Sequence, residues 1–148
     1  MRKTKTGRGD RDKRRKMRQE RKVILIVCER KNETERIYFK KFKSRNTTVN
    51  LDIPRTKFTE PKKLVEFAMK KGKTTDYDSI WCVFDVDANS NENIIQAKQL
   101  ADNHNIHIAL SNPSFEFWFL LHYKDCRKVI TNNELVEELC RFLPDYSK

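Results

Sequence analysis

Two stretches, Val23-Ile24-Leu25-Ile26-Val27-Cys28 and Ile80-Trp81-Cys82-Val83-Phe84, are apolar at every position. A strand with one wet face alternates polar and apolar residues, so an unbroken run of this length suits a strand covered on both faces, as in a parallel sheet. Parallel neighbours cannot be joined by a tight turn; the chain must return through a crossover, usually a helix. The segments between the runs have that character. Asn32 or Thr34 can cap a helix running to about Lys43, with Ile37, Tyr38 and Phe42 on one stripe. Thr59 with Pro61 opens a second, in which Leu64, Val65, Ala68 and Met69 follow helical spacing and Gly72 marks the close. Asn91 to Asn103 predicts a third, Phe115 to His122 a short and very apolar one, and Asn133 to Leu143 an amphipathic one stopped by Pro144. Val49 to Ile53 and Ile106 to Leu110 complete the strands. The alternation predicts an α/β domain: an open sheet of about four mainly parallel strands flanked by helices. Neither an internal repeat nor a second domain is visible. The chain stops soon after a helix without a terminal device, so the body is expected to be incomplete at its C-terminus.

Charge divides the chain. Lys and Arg number 32 against 21 Asp and Glu, a net +11. Residues 1–22 hold twelve basic residues and three acidic ones, and so carry +9 of that total. Arg11, Lys13, Arg14, Arg15, Lys16 and Arg18 are the densest part. A segment this charged and this poor in apolar residues reads as a disordered arm, residues 1–22, ahead of a nearly neutral body, residues 23–148. Its natural partner is a nucleic acid, DNA or RNA, held through phosphates. Other classes fall away. The longest apolar run is six residues, against roughly 18–20 needed to cross a bilayer. No apolar segment of signal-peptide type follows the basic start. Cys28, Cys82, Cys126 and Cys140 are scattered, which indicates neither a zinc ribbon nor a redox pair and points to the cytosol. Only Gly7, Gly9 and Gly72 are present, so no Walker A loop or dinucleotide fingerprint can be built.

In open α/β sheets, sites form at the carboxyl ends of the strands. The first apolar strand ends in Glu29, the second in Asp85-Val86-Asp87, and the strand 106–110 in Ser111-Asn112-Pro113, with Glu116 a helical turn further on. If the second strand continues, Asp85 and Asp87 share a face about 6–7 Å apart, at ~3.3 Å per residue. Carboxylates so close repel unless a cation lies among them. Oxygen donors without His or Cys suit Mg²⁺ or Mn²⁺ rather than Zn²⁺. Asp76 and Asp78 have the same spacing but precede their strand, so they belong to a turn at the other edge. His104, His107 and His122 show no ligand spacing, and the Phe115–Phe119 aromatics read as core.

Val27-Cys28-Glu29, Lys31 with Thr34-Glu35 and Tyr38-Phe39, Phe84-Asp85-Val86-Asp87, Ser111-Asn112-Pro113-Ser114-Phe115-Glu116-Phe117-Trp118 and Leu120-Leu121-His122 together resemble the RloB-like family. That family belongs with bacterial anti-phage and abortive-infection genes and is similar to the TOPRIM (topoisomerase–primase) domain. The resemblance spans about residues 23–143, with the Ser111–His122 run its most specific part. It implies a TOPRIM-like sheet and Mg²⁺-dependent phosphodiester chemistry with Glu29, Asp85 and Asp87 as ligands and catalytic groups, Glu116 and Asn112 assisting. The family usually has Gly after the first Glu; here Arg30 either narrows the site or adds a phosphate contact. Arg30, Lys31, Ser111 and Asn112 are then the substrate-binding candidates.

Two functional classes follow. One is a metal-dependent nuclease in phage defence, hydrolysing rather than passing strands, since none of Tyr38, Tyr77, Tyr123 and Tyr146 is singled out as a nucleophile. The other is a non-catalytic nucleic-acid- or partner-binding subunit, with an ATPase of AAA or ABC type supplying energy and self-association open. An aspartyl-phosphate phosphatase fits less well, because Ala88-Asn89 follows the D-x-D and the motif is not on the first strand.

Overall fold

The computed structural model describes residues 21–30, 33–43, 48–87 and 89–147. The arm residues Arg11, Lys13, Arg14, Arg15, Lys16 and Arg18, and also Lys31, lie outside the described residues. The elements are β1 (Lys22–Cys28), α1 (Thr34–Lys43), β2 (Val49–Asp52), α2 (Pro61–Thr74), β3 (Ser79–Asp85), α3 (Asn91–Asp102), β4 (His107–Ser111), α4 (Glu116–Leu121) and α5 (Asn132–Cys140). Lys22, expected in the arm, is the first residue of β1 and pairs with Val49.

The strands form one sheet in the order β2-β1-β3-β4, and every pairing is parallel. The apolar runs became its two central strands, as their lack of alternation requires. Successive side chains of a strand point to opposite faces. Leu25, Val27, Cys82 and Phe84 therefore face one way, against Leu64, Val65 and Ala68 of α2 and Ala97 and Ala101 of α3. Ile26, Cys28 and Val83 face the other way, with Tyr38 and Phe39 of α1 and with Phe115 and Phe119. Each fully buried Leu or Phe contributes about 1.5–3 kcal/mol, so the two faces hold the sheet from both sides. Burial also pushes the thiols of Cys28 and Cys82 up to about 12, which leaves them as small hydrophobes.

The crossover from β1 to β2 runs over one face and those reaching β3 and β4 over the other. Chain direction away from the sheet thus reverses between β1 and β3, and a crevice opens at their carboxyl ends. The opposite edge is closed by Asp78, which accepts a hydrogen bond from Val23 N at 2.6 Å and donates its own N–H to Val23 O at 2.8 Å. That is the turn role expected of it.

Two local expectations need correction. Gly72 does not close its helix; α2 continues to Thr74. A Cβ at position 72 would stand 2.9 Å from Ile80 Cδ1, so glycine is there for close helix–strand packing. The second strand, in turn, does not continue through Asp87. It ends at Asp85, and the chain bends so that Val86 N and Asp87 N donate to Ser111 O and Pro113 O.

Gly72→Ala should leave stability within about 1 kcal/mol of the natural protein, since the gain in helix propensity opposes the push on the flexible end of Ile80. Gly72→Leu should lose about 1–3 kcal/mol to overpacking. Urea unfolding of both variants checks this; a Leu variant as stable as the Ala one would mean the contact is not there.

Candidate active site

Glu29 is the first residue past β1, and its N–H still donates to Val83 O at 3.3 Å. Asp85 is the last residue of β3 and pairs with Ser111, the last of β4. The two acids therefore stand on adjacent strands about 4.8 Å apart, flanking the crevice. Two helices bring further carboxylates to the same place. Glu35 lies in the first turn of α1, and Glu116 opens α4. All four are buried, with exposures of 7% for Glu29, 2% for Asp85 and 1% each for Glu35 and Glu116.

Four buried acids repel one another, and Glu35 records it. Burial in the first place, and the fields of Asp85, Glu116 and Glu29 in addition, push its carboxyl up to about 8. Its Oε2 has no hydrogen-bond partner among the described residues, an expensive position for an ionised oxygen. Glu116 is held differently: Tyr146 Oη donates to its Oε1 at 2.9 Å. Burial and that bond push the Tyr146 phenol well above its ordinary value. It is a fixed donor and a poor nucleophile.

Asp87 stands apart from this group. It is exposed, in the turn after β3, and accepts a hydrogen bond from Asn132 Nδ2 at the start of α5. That helix is itself fixed by a capping box between Thr131 and Glu134. Asn89 Nδ2 donates to Asp85 O at 2.8 Å and tightens the same turn. Ser111 and Asn112 lie on the β4 side, where Asn112 precedes a cis peptide bond to Pro113. Arg30 is exposed, so its side chain does not plug the crevice. Phe115 is core, and Tyr38, Phe39 and Phe119 pack with it edge-on or tilted, but Trp118, expected in the core, is 46% exposed.

Residue reading from the strand ends found Glu29, Asp85 and Glu116 but assigned no role to Glu35 or Tyr146. A Thr-Glu pair opening a helix reads as a cap and a dipole partner, and nothing in the sequence says which way α1 turns.

Among the described residues, no group of three or more Asp, Glu, His or Cys side chains forms a ready metal cage. Mg²⁺ does not need one: it keeps several waters and takes one or two carboxylates plus substrate phosphates. The donors at the crevice are all oxygens, and a buried carboxylate oxygen without a partner is one a hard cation would satisfy.

The architecture and the gathered acids define an α/β protein with an acidic site at the switch point of a parallel sheet. Residues 24–148 match the family described as RloB-like protein, and the chain belongs to that family. No curated protein and no solved structure matches it.

The raised Glu35 carboxyl has a direct consequence for metal-free protein. A folded value near 8 against the ordinary 4.5 means that the folded state binds the extra proton. Its stabilising contribution is complete below the ordinary value and is lost as pH rises through about 8. Glu35→Gln, which mimics the neutral acid, should flatten the fall in melting temperature over that window and raise it at the alkaline end. Thermal melts in EDTA from acid to mildly alkaline pH decide it; parallel curves for the two proteins would mean that Glu35 is not buried among like charges.

Proposed function

We propose that the chain is a Mg²⁺- or Mn²⁺-dependent nuclease of TOPRIM type that cleaves nucleic-acid phosphodiesters in phage defence, within the cytoplasm. The observation that carries this reading is the convergence of Glu29, Glu35, Asp85 and Glu116, all buried, on the carboxyl ends of β1 and β3. Acids are seldom buried, and four of them gathered at the strand ends, one with a strongly raised carboxyl, point to chemistry. The family contributes the setting in defence, which the residues alone do not speak to.

In this reading Asp85 and Glu29 would hold the cation, while Asp87, exposed and bonded to Asn132, stays outside the buried group. A Mg²⁺ bound there would supply charge stabilisation on the phosphoryl oxygens and an acidified water. Where Glu29 does not complete the metal shell, it exchanges a proton with the leaving oxygen as general acid or base. Glu116, held by Tyr146, and Asn112 orient the reacting group. Arg30, Lys31 and Ser111 contact substrate phosphates and sugar. The high Tyr146 phenol value argues for hydrolysis rather than a tyrosyl intermediate. The basic arm holds nucleic acid through phosphates, a contact that positions without reading sequence. Any ATP-driven step would come from an ATPase partner, since the three glycines of this chain build no phosphate loop.

Purified protein with labelled DNA and RNA, in Mg²⁺, Mn²⁺ or EDTA, should cleave at least one substrate and only with metal. Asp85→Asn should cut the rate by at least about 100-fold, within the range general acid–base and positioning effects supply. Cleavage untouched by Asp85→Asn would overturn the assignment; binding without cleavage under every condition would favour a non-catalytic subunit.

Deletion of residues 1–20 spares β1 and should leave the fold intact. Ten basic residues go with it. If half of them engage phosphates, the log Kd against log salt slope should flatten by about 3.5 on single strands and 4.5 on duplex DNA. Parallel salt titrations of the two proteins would mean that the arm serves another partner.

A further inference from the structure

Beside Glu29, on the β2 side of β1, lies a cavity of about 430 Å³ lined by Cys28, Glu29, Arg30, Glu33, Arg36, Arg55, Thr56 and Lys57. Four of these are cations and two are acids, so its walls carry a net positive charge. The segment after β2 is fixed there by two hydrogen bonds to the end of β1. Thr56 Oγ1 donates to Cys28 O at 3.1 Å, and Arg30 N donates to Phe58 O at 3.0 Å. Arg55 and Lys57 are thereby held against the first strand end although they come from the second. Arg36 reaches the cavity from α1, and its side chain is only 13% exposed. Its Nε is buried and has no hydrogen-bond partner among the described residues. Glu33 answers this charge loosely, at 3.9 Å from Arg36 Nη1 and 3.6 Å from Arg55 Nε.

We propose that this cavity is a phosphate subsite that takes the phosphate group of a nucleotide next to the bond facing the carboxylates. A guanidinium kept from water with an unused N–H is completed by an oxyanion. The volume exceeds that of a phosphate alone and admits part of its sugar. The cavity shares Glu29 with the acidic crevice, so a phosphate bound in it aligns the adjoining linkage with Glu29 and Asp85. Glu33 acts as the internal competitor that the phosphate displaces. The inference rests on the nuclease reading for its substrate, while the binding event itself needs neither metal nor cleavage.

The test is equilibrium binding of a fluorescein-labelled ten-nucleotide single strand, with and without a 5′-phosphate, to the full chain in EDTA across a salt series. Arg55→Gln/Lys57→Gln should weaken binding at low salt by about tenfold or more and flatten the salt slope by about 1.4, two contacts at 0.7 each. Arg55→Gln alone, at a side chain 74% exposed and so safe for the fold, should flatten it by about half as much. Lys70→Gln/Lys98→Gln, exposed on α2 and α3 over the opposite face, should do much less. Glu33→Gln should tighten binding. A terminal phosphate in the subsite shows as a preference for the phosphorylated strand that the double variant loses; an internal phosphate shows as equal weakening on both strands. The subsite is refuted if the Arg55/Lys57 variant binds as well as the Lys70/Lys98 variant on both strands. Because no metal is present, that result leaves the nuclease reading standing, and a failure of Asp85→Asn to affect cleavage leaves the subsite standing.

Discussion

The pairing of β1 with β3 is the interaction on which the rest depends. Five consecutive parallel partners, from Ile24 with Ser79 to Cys28 with Val83, set the spacing of the two strand ends. The crossovers leave this pair for opposite faces, so a crevice opens between their ends. A concave edge lined by backbone ends results from topology alone, before any side chain is chosen. The residues that occupy it, Glu29 and Asp85, inherit a rigid separation from the hydrogen-bond ladder rather than from loop conformation. Loops on a fixed scaffold are where binding groups are commonly carried; here the scaffold itself presents two of them.

Such an arrangement opposes folding. Like charges brought out of water destabilise the folded state, and the fold answers in two ways: the Glu35 carboxyl, pushed up to about 8, favours its proton, and Tyr146 donates to Glu116. Arg30, Arg36, Arg55 and Lys57 line an adjoining cavity that shares Glu29 with the carboxylate group. Two regions of opposite sign side by side give a steep field across the crevice, and the proposed phosphate subsite and cation site both depend on it.

The central strands were readable because burial on both faces erases alternation, and the site acids at their ends followed from that alone. Glu29 and Asp85 needed only the strand boundaries. Asp87 was harder: period-two spacing was carried two residues past the end of β3, and the bend at Val86 depends on carbonyls from Ser111 and Pro113, distant in sequence. Gly72 was misread because a glycine near a helix end and a glycine under a strand look alike until Ile80 is placed. Glu35 and Arg36 were hidden for a more general reason. A charged residue on a helix is usually solvated, and these two are buried only because α1 packs its first turn over the strand ends. Arg55 and Lys57 lie in a segment without regular structure, whose course is set by bonds to residues 28 and 30 rather than by local pattern.

The contact between Tyr146 and Glu116 joins the site to a residue made 117 positions after Glu29. Synthesis at about 5–20 residues per second places several seconds between the two events. During that interval the sheet's central pair can already form, since β1 and β3 are complete by residue 85. Glu116 then lacks its phenol and Asp87 its amide, so the nascent chain exposes an acidic edge without its final alignment. For the nuclease proposed above, made beside a messenger and a ribosome full of phosphodiesters, the acidic edge is thus completed only once Tyr146 has been added.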